Sequence, residues 1–362
     1  MGARRRPGWC RDDSDFRRIN AGPQEVGPAI PATYLLGIGA GPRRPRRVGS
    51  PLFFHSDPLR DVVPLPGQVI GNRLWLGDHL RAIEFYSNNI NTLQGDLAKD
   101  RLGMAGIPLV FSRGHLSWPL AELGRFPEAI AEWREAIRLA EEVKHPFSEA
   151  FAKYCGGFLY LRKGEIERAI AQLEPGFALC RSMHLRLELP FVASFLGIAY
   201  AYEGRHSEGI AMAEHAVNEM NSLKIQSGRS WIVGFLGYAY LIAGQHAKAV
   251  ELMQQALELA QLHGERGWVA WEHHVLGLAR MAEGGAGIEK AHNLFEQAIE
   301  GARALQLRPL LARSELALGQ LHRRAGQEDS ARKNIGSAVS LLREMQMPIW
   351  LQKAEAELQA LN

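Results

Sequence analysis

From about residue 70 to the end, apolar positions fall at helical spacing and alternate between two textures. The stretch Leu236-Gly237-Tyr238-Ala239-Tyr240-Leu241 is almost uniformly apolar and is stopped by Gly244, the pattern of one helix and its C-terminal cap. Beyond that glycine, Ala249, Met253 and Ala256 stand at i, i+4 and i+7, so a second helix turns one stripe toward the first. Together they predict a helical hairpin, and the hairpin repeats. A glycine followed five residues later by a small residue recurs at Gly124/Ala129, Gly164/Ala169, Gly204/Gly209 and Gly244/Ala249, each pair 40 residues after the last. Gly77/Ala82 and Gly326/Ala331 continue the series on either side. A degenerate copy has Gly284 and Ala291 seven apart, because Gly285-Ala286-Gly287 lengthens the turn. A fixed period of this size marks a solenoid whose units bury their apolar faces against neighbours. Residues 68–362 are therefore expected to form one all-α unit of about seven repeats with period 40. It should end in a capping helix from Ile349 to Leu361, with Trp350, Ala354 and Leu358 on one side.

Leu196-Gly197, Leu236-Gly237, Leu276-Gly277 and Leu318-Gly319 each set a large apolar residue beside a glycine inside the first helix. A mid-helix glycine costs roughly 1 kcal/mol relative to alanine, so close helix approach is its natural reason. This pattern resembles the tetratricopeptide repeat, with L-G-x-x-Y in the first helix, a glycine four residues on, and small or apolar residues along the second. The match runs through Leu196-Gly197-Ile198-Ala199-Tyr200 with Gly204, and through Leu236-Gly237, Tyr240, Gly244, Ala249, Met253 and Ala256. It is looser at Gly157-Phe158-Leu159-Tyr160, where Gly156 replaces the leucine. The resemblance implies a tetratricopeptide-like helical-hairpin solenoid. A period of 40 instead of about 34 implies longer helices or longer connections, near His145-Pro146 and Leu189-Pro190. Stretches such as Leu76-Gly77-Asp78-His79-Leu80-Arg81-Ala82, Leu120-Ala121-Glu122-Leu123-Gly124 and Tyr160-Leu161-Arg162-Lys163-Gly164 look like the C-terminal repeat region of bacterial proteins that join a class III adenylate cyclase, an AAA-type ATPase and tetratricopeptide repeats.

Composition separates the first 67 residues from the rest. Residues 1–66 hold ten of the eighteen prolines and no sustained period, which reads as a disordered leader. Residues 1–60 carry eleven arginines against five acidic residues, or +6, leaving −3 for the remainder of a chain whose net charge is +3. A mildly acidic solenoid speaks against nucleic acid as its partner. Arg43-Arg44-Pro45-Arg46-Arg47 is read as a solvated basic tail, and the leader as a possible misassigned start or remnant of a larger gene. No apolar run reaches the roughly 18 to 20 residues of a membrane span. The three cysteines, Cys10, Cys155 and Cys180, show no C-x-x-C spacing, so reduced thiols and a cytoplasmic setting are expected.

Candidate chemistry is sparse. Gly37-Ile38-Gly39-Ala40-Gly41 lacks the lysine and the following helix of a phosphate loop. His273 and His274 are adjacent, and adjacent helical positions point about 100° apart, too far to share a metal. Pro119 and Pro175 fall within helices and are expected to kink them. The chain is read as noncatalytic, with no cofactor or metal.

The resemblance implies that first helices line a concave face. Counting from the L-G glycine, that face takes Phe151, Tyr154 and Phe158, then Phe191 and Ile198, Trp231 and Tyr238, and Trp271 and His274. Aromatic anchors at one phase over four repeats point to a groove for a protein or peptide partner. The leading expectation is a noncatalytic scaffold in bacterial signalling. The alternatives are the regulatory tail of a cyclase-ATPase protein separated from its catalytic domains, and a small-molecule-sensing repeat domain of a transcription activator. Replacing Trp231 and Trp271 by alanine is expected to separate binding from packing.

Overall fold

The structure, a computed structural model, describes residues 76–361. The leader, its boundary with the repeats, Cys10, the arginine run and the glycine-rich segment at 37–41 lie outside the described residues. Fourteen α-helices fill the described part. They are α1 (His79–Thr92), α2 (Pro108–Glu122), α3 (Phe126–Val143), α4 (Pro146–Lys163), α5 (Ile166–Ser182), α6 (Leu189–Tyr202) and α7 (His206–Leu223). They continue as α8 (Arg229–Ile242), α9 (His246–Leu262), α10 (Arg266–Glu283), α11 (Gly287–Ala304), α12 (Arg308–Arg324), α13 (Glu328–Glu344) and α14 (Pro348–Gln359). No strand occurs among the described residues, and the fold is a tetratricopeptide-like helical solenoid.

The two textures of the sequence become two layers. Even-numbered helices are inner and buried almost all round: α8 buries every residue from Ser230 to Ala239. Odd-numbered helices are outer and bury one stripe, as α9 does with Ala249, Val250, Leu252, Met253, Ala256 and Ala260. A helix apolar on all sides must be covered on all sides, and each inner helix is flanked by its neighbours, its own outer helix and the axis of the solenoid.

Each inner helix passes to its outer partner through a left-handed residue. All seven turn glycines of the repeat series have positive φ, from Gly284 and Gly326 at 72° to Gly204 at 89°. At Gly244 the amide donates to Leu241 O at 3.0 Å, and that of Gln245 to Tyr240 O at 2.9 Å, satisfying two terminal carbonyls. A second series, in the turns between repeats, carries the same conformation at Lys144, His184, Lys224, Gly264, Gln306 and Gln346. Five of these six are not glycine and hold φ between 53° and 57°. The connection at Lys144-His145 is short, so there the long period resides in helices of 18 residues; the connections lengthen between α1 and α2, over 93–107, between α5 and α6, over 183–188, and between α7 and α8, over 224–228.

The L-G glycines set backbones in contact. A Cβ on Gly197 would lie 2.8 Å from both Ala213 N and Gly209 O, in the backbone of α7. At Gly156 it would meet the Trp133 ring, whose Nε1 donates to Ala152 O at 3.0 Å. Helices α2 and α5 run unbroken through Pro119 and Pro175.

The repeats also touch across the superhelix. Arg266 Nε donates to Leu76 O at 3.1 Å, across 190 residues. Gly124 lies against Met345 and Arg308, and Gly164 against Trp350 and Ile349. In each case the end of one inner segment meets a segment between four and six repeats further on, so successive turns stack and close the axis. Helix α14 packs on α13 and α12 with Ala354 fully buried, while Trp350 turns toward Tyr202 of α6.

Candidate functional site

The nine residues of the inner face are all brought to the axis, where they pack on one another. Trp231 stacks on Phe195 at 5.2 Å and on Trp268 at 5.6 Å, and Phe191 approaches Trp231 at 5.6 Å. Tyr154 meets Phe151 at 5.0 Å and Phe191 at 6.0 Å. Phe151, Tyr154, Phe158, Ile198, Trp231, Tyr238, Trp271 and His274 are buried, and Phe191 is half-buried. The concave face is thus closed in this conformation. The burial of Trp231 and Trp271 also reverses the expectation for their alanine variants: truncating a buried tryptophan costs about 3–5 kcal/mol, so the pair would disrupt packing before binding could be read.

The centre of the axis holds charge as well as rings. Glu122, the last residue of α2, is 3% exposed. Its Oε1 accepts from Arg162 Nε at 2.8 Å, and its Oε2 accepts from Trp271 Nε1 at 2.9 Å. One carboxylate therefore ties α2 to α4, one repeat on, and to α10, 149 residues on. The Arg162 guanidinium lies in an aromatic box, 3.8 Å from the Trp271 ring, 4.8 Å from Phe158 and 5.2 Å from Trp268. Cation–π contact in a site this dry is worth about 2 kcal/mol or more. Burial nonetheless presses the guanidinium's pKa below its ordinary value, with Glu122 opposing that shift.

Further along the axis Arg313 of α12 donates to the hydroxyl of Tyr238 and, at 3.3 Å, to that of Tyr202. Its guanidinium stacks on Trp350 at 4.1 Å and lies 5.2 Å from the Trp271 ring. His274 faces Ser314 Oγ at 3.1 Å; burial, then Arg313 and Arg162, hold its imidazole neutral, well below its usual pKa. Burial also drives Glu272 well above the carboxylate range, against the pull of Arg162. A pocket lined by His79, Trp118, Glu122, Trp268 and Trp271 has room for about one water.

Sequence reasoning named Trp271 and His274 but missed Glu122, Arg162 and Arg313. Arg313 stands six residues before Gly319, the register that holds Phe151, Phe191, Trp231 and Trp271 in earlier copies. A charge at a phase otherwise aromatic was the available signal. Among the described residues no group of three His, Cys, Asp or Glu side chains converges on a metal position, and no helix is long and apolar enough to cross a membrane.

A tetratricopeptide repeat family model matches residues 233–261, most of α8 and nearly all of α9. No curated protein sequence matches the chain. Among solved structures, a Rap protein complexed with Competence and Sporulation Factor aligns at TM-score 0.57 and 12% identity, over 80% of this chain and 83% of that one. The apo form of RapI aligns at TM-score 0.53 and 11% identity, over 76% and 98%. Aspartyl phosphate phosphatase F from Bacillus subtilis aligns at TM-score 0.51 and 13% identity, over 77% and 69%. At these identities the likeness is one of fold.

Proposed function

We propose that the chain is a noncatalytic repeat scaffold that holds a protein or peptide partner against its inner helices. The observation that carries this reading is the inner layer itself, a largely aromatic face whose turns are joined by a few side-chain contacts. Chief among these are Glu122 to Trp271, Arg313 to Tyr202, and Arg266 to the Leu76 carbonyl. Separating the turns would break the contacts that Trp271 and Trp231 make across the axis, to Glu122 and to Trp118, and would offer their rings as anchors without melting any helix. Engagement is then coupled to opening, and affinity falls by the fraction of time spent open. The similar fold of a Rap protein solved with Competence and Sporulation Factor supports a partner of protein or peptide kind. A role in bacterial signalling, related to the repeat regions of cyclase-ATPase proteins, rests on the sequence resemblance alone.

Half-buried Phe191 offers a test that spares the core. Phe191→Arg should lose the partner captured from the protein's own cells while shifting Tm little. Leu262→Arg, on an outer helix and 78% exposed, should retain it. An unchanged captured set in Phe191→Arg would refute the assignment.

A further inference from the structure

Among the described residues, the buried guanidinium of Arg313 at the axis has no anion beside it. Arg313 is 5% exposed, and among the described residues no carboxylate lies within 4 Å of its nitrogens. Its two acceptors are neutral hydroxyls, and Tyr202 and Tyr238 already hydrogen-bond to each other. Arg313 Nε has no partner at all. The surrounding charge makes this worse. Arg162 is neutralised by Glu122, yet its Nη2 is also unpaired. Burial pushes the Glu272 carboxyl well above the carboxylate range, and Lys353 Nζ lies 4.7 Å from the Trp350 ring. Cation–π contact and neutral acceptors do not discharge a guanidinium, and a buried charge without a counter-charge is strongly disfavoured.

We propose that Arg313 is the centre of a binding site for a carboxylate-bearing ligand, with Trp350 as its cover. A carboxylate fits the donor that is free: Nε can give a charge-assisted hydrogen bond to one of its oxygens, while Nη2 stays on the two tyrosine hydroxyls. Trp350 Nε1, likewise buried and unpaired, belongs to the ring stacked on that guanidinium. Trp350 sits on the third residue of α14, which packs chiefly on α13 and reaches Tyr202 and Gly164 through Trp350 itself, so moving this one ring disturbs few other contacts. The site goes beyond the scaffold reading, since a free small carboxylate and an acidic peptide both satisfy it.

Thermal melting and tryptophan fluorescence of the full chain test the idea, with sodium succinate and an acetylated Asp-Glu-Asp-Glu peptide as probes and sodium chloride at matched ionic strength as control. At least one probe should raise Tm saturably and change the tryptophan emission. Response to succinate identifies a small-molecule source; response to the peptide alone identifies a chain segment. Arg313→Met should weaken the response by about tenfold or more. Without probe, that variant should melt no lower than the wild type, because the uncompensated cation is gone while the two tyrosines still pair. Trp350→Ala should bind more tightly. No saturable response beyond the chloride control overturns the proposal. So does an Arg313→Met variant that responds equally, melts lower or fails to fold, because Arg313 is then a structural cation whose partners are complete.

Discussion

The buried ion pair at the axis predicts a specific failure of additivity. Glu122 and Arg162 are 3% and 6% exposed and paired at 2.8 Å. Arg162→Met leaves the carboxylate with only the Trp271 N–H. Glu122→Gln leaves the guanidinium with only ring faces. Removing one member of a buried pair costs about 3–5 kcal/mol, because the other charge stays buried. If the two sites were independent, the double variant would lose about 6–10 kcal/mol by the same figures. The geometry says otherwise. In Glu122→Gln/Arg162→Met no charge remains, the glutamine oxygen still accepts from Trp271 Nε1, and methionine fills a box of Phe158, Trp268 and Trp271 with favourable sulfur–ring contacts. What remains is an unpaired amide donor at about 1–3 kcal/mol. The expected coupling is therefore about 3 kcal/mol or more. Urea unfolding of the four proteins, followed by circular dichroism and by tryptophan emission, measures it. Additivity to within about 0.5 kcal/mol would refute the claim that this pair acts as one unit.

Other expectations are simpler to read. Glu188, the residue before α6, is 7% exposed with Oε2 unpaired, and burial raises its carboxyl to about 8. The folded state keeps a proton that the unfolded chain releases near pH 4.5, so this group's contribution is full below that pH and is lost as pH rises to about 8. Melts across this window should flatten in Glu188→Gln, and an unchanged slope would refute the assignment. Burial lowers His115 to about 4, so its contribution has the opposite sign, present above pH 6.5 and lost down to about 4; His115→Gln should blunt the acid limb of the same profile. Gly197→Ala should destabilise by about 1–3 kcal/mol, because the added Cβ meets backbone atoms of α7 that cannot turn aside; a loss no larger than ordinary surface scatter in a urea melt would contradict the contact. Cys155 and Cys180 are about 1% exposed, and burial lifts Cys180 to about 12, so neither should react with a thiol reagent until urea unfolds the chain.

What could be read from the sequence was local. A glycine five residues before a small residue marks a left-handed turn because other side chains disfavour that conformation. The series at Gly77, Gly124, Gly164, Gly204, Gly244, Gly284 and Gly326 therefore carried its own signal. The turns between repeats adopt the same conformation with Lys144, His184, Lys224, Gln306 and Gln346. Those residue types have no such preference, so that second periodicity was silent. The inner face was legible for a similar reason, since its phase follows from the L-G glycine. Whether that face is open is a different kind of quantity. It depends on a small rotation between each hairpin and the next, summed over several repeats, and no residue spacing encodes the sum.

The closed axis changes what kind of object this solenoid is. In an open array each repeat touches only its neighbours, and stability is a sum of short-range terms. Here Glu122 reaches Trp271, Arg266 reaches Leu76, and Trp350 reaches the turn at Gly164. These contacts are few, polar or aromatic, and set at the ends of inner helices, whereas helix-to-helix packing within each hairpin is apolar and continuous. The division makes opening and unfolding separate events. Loss of the axial contacts would part the turns while every hairpin keeps its own core, so the two events should separate in a urea titration read by tryptophan emission and by circular dichroism.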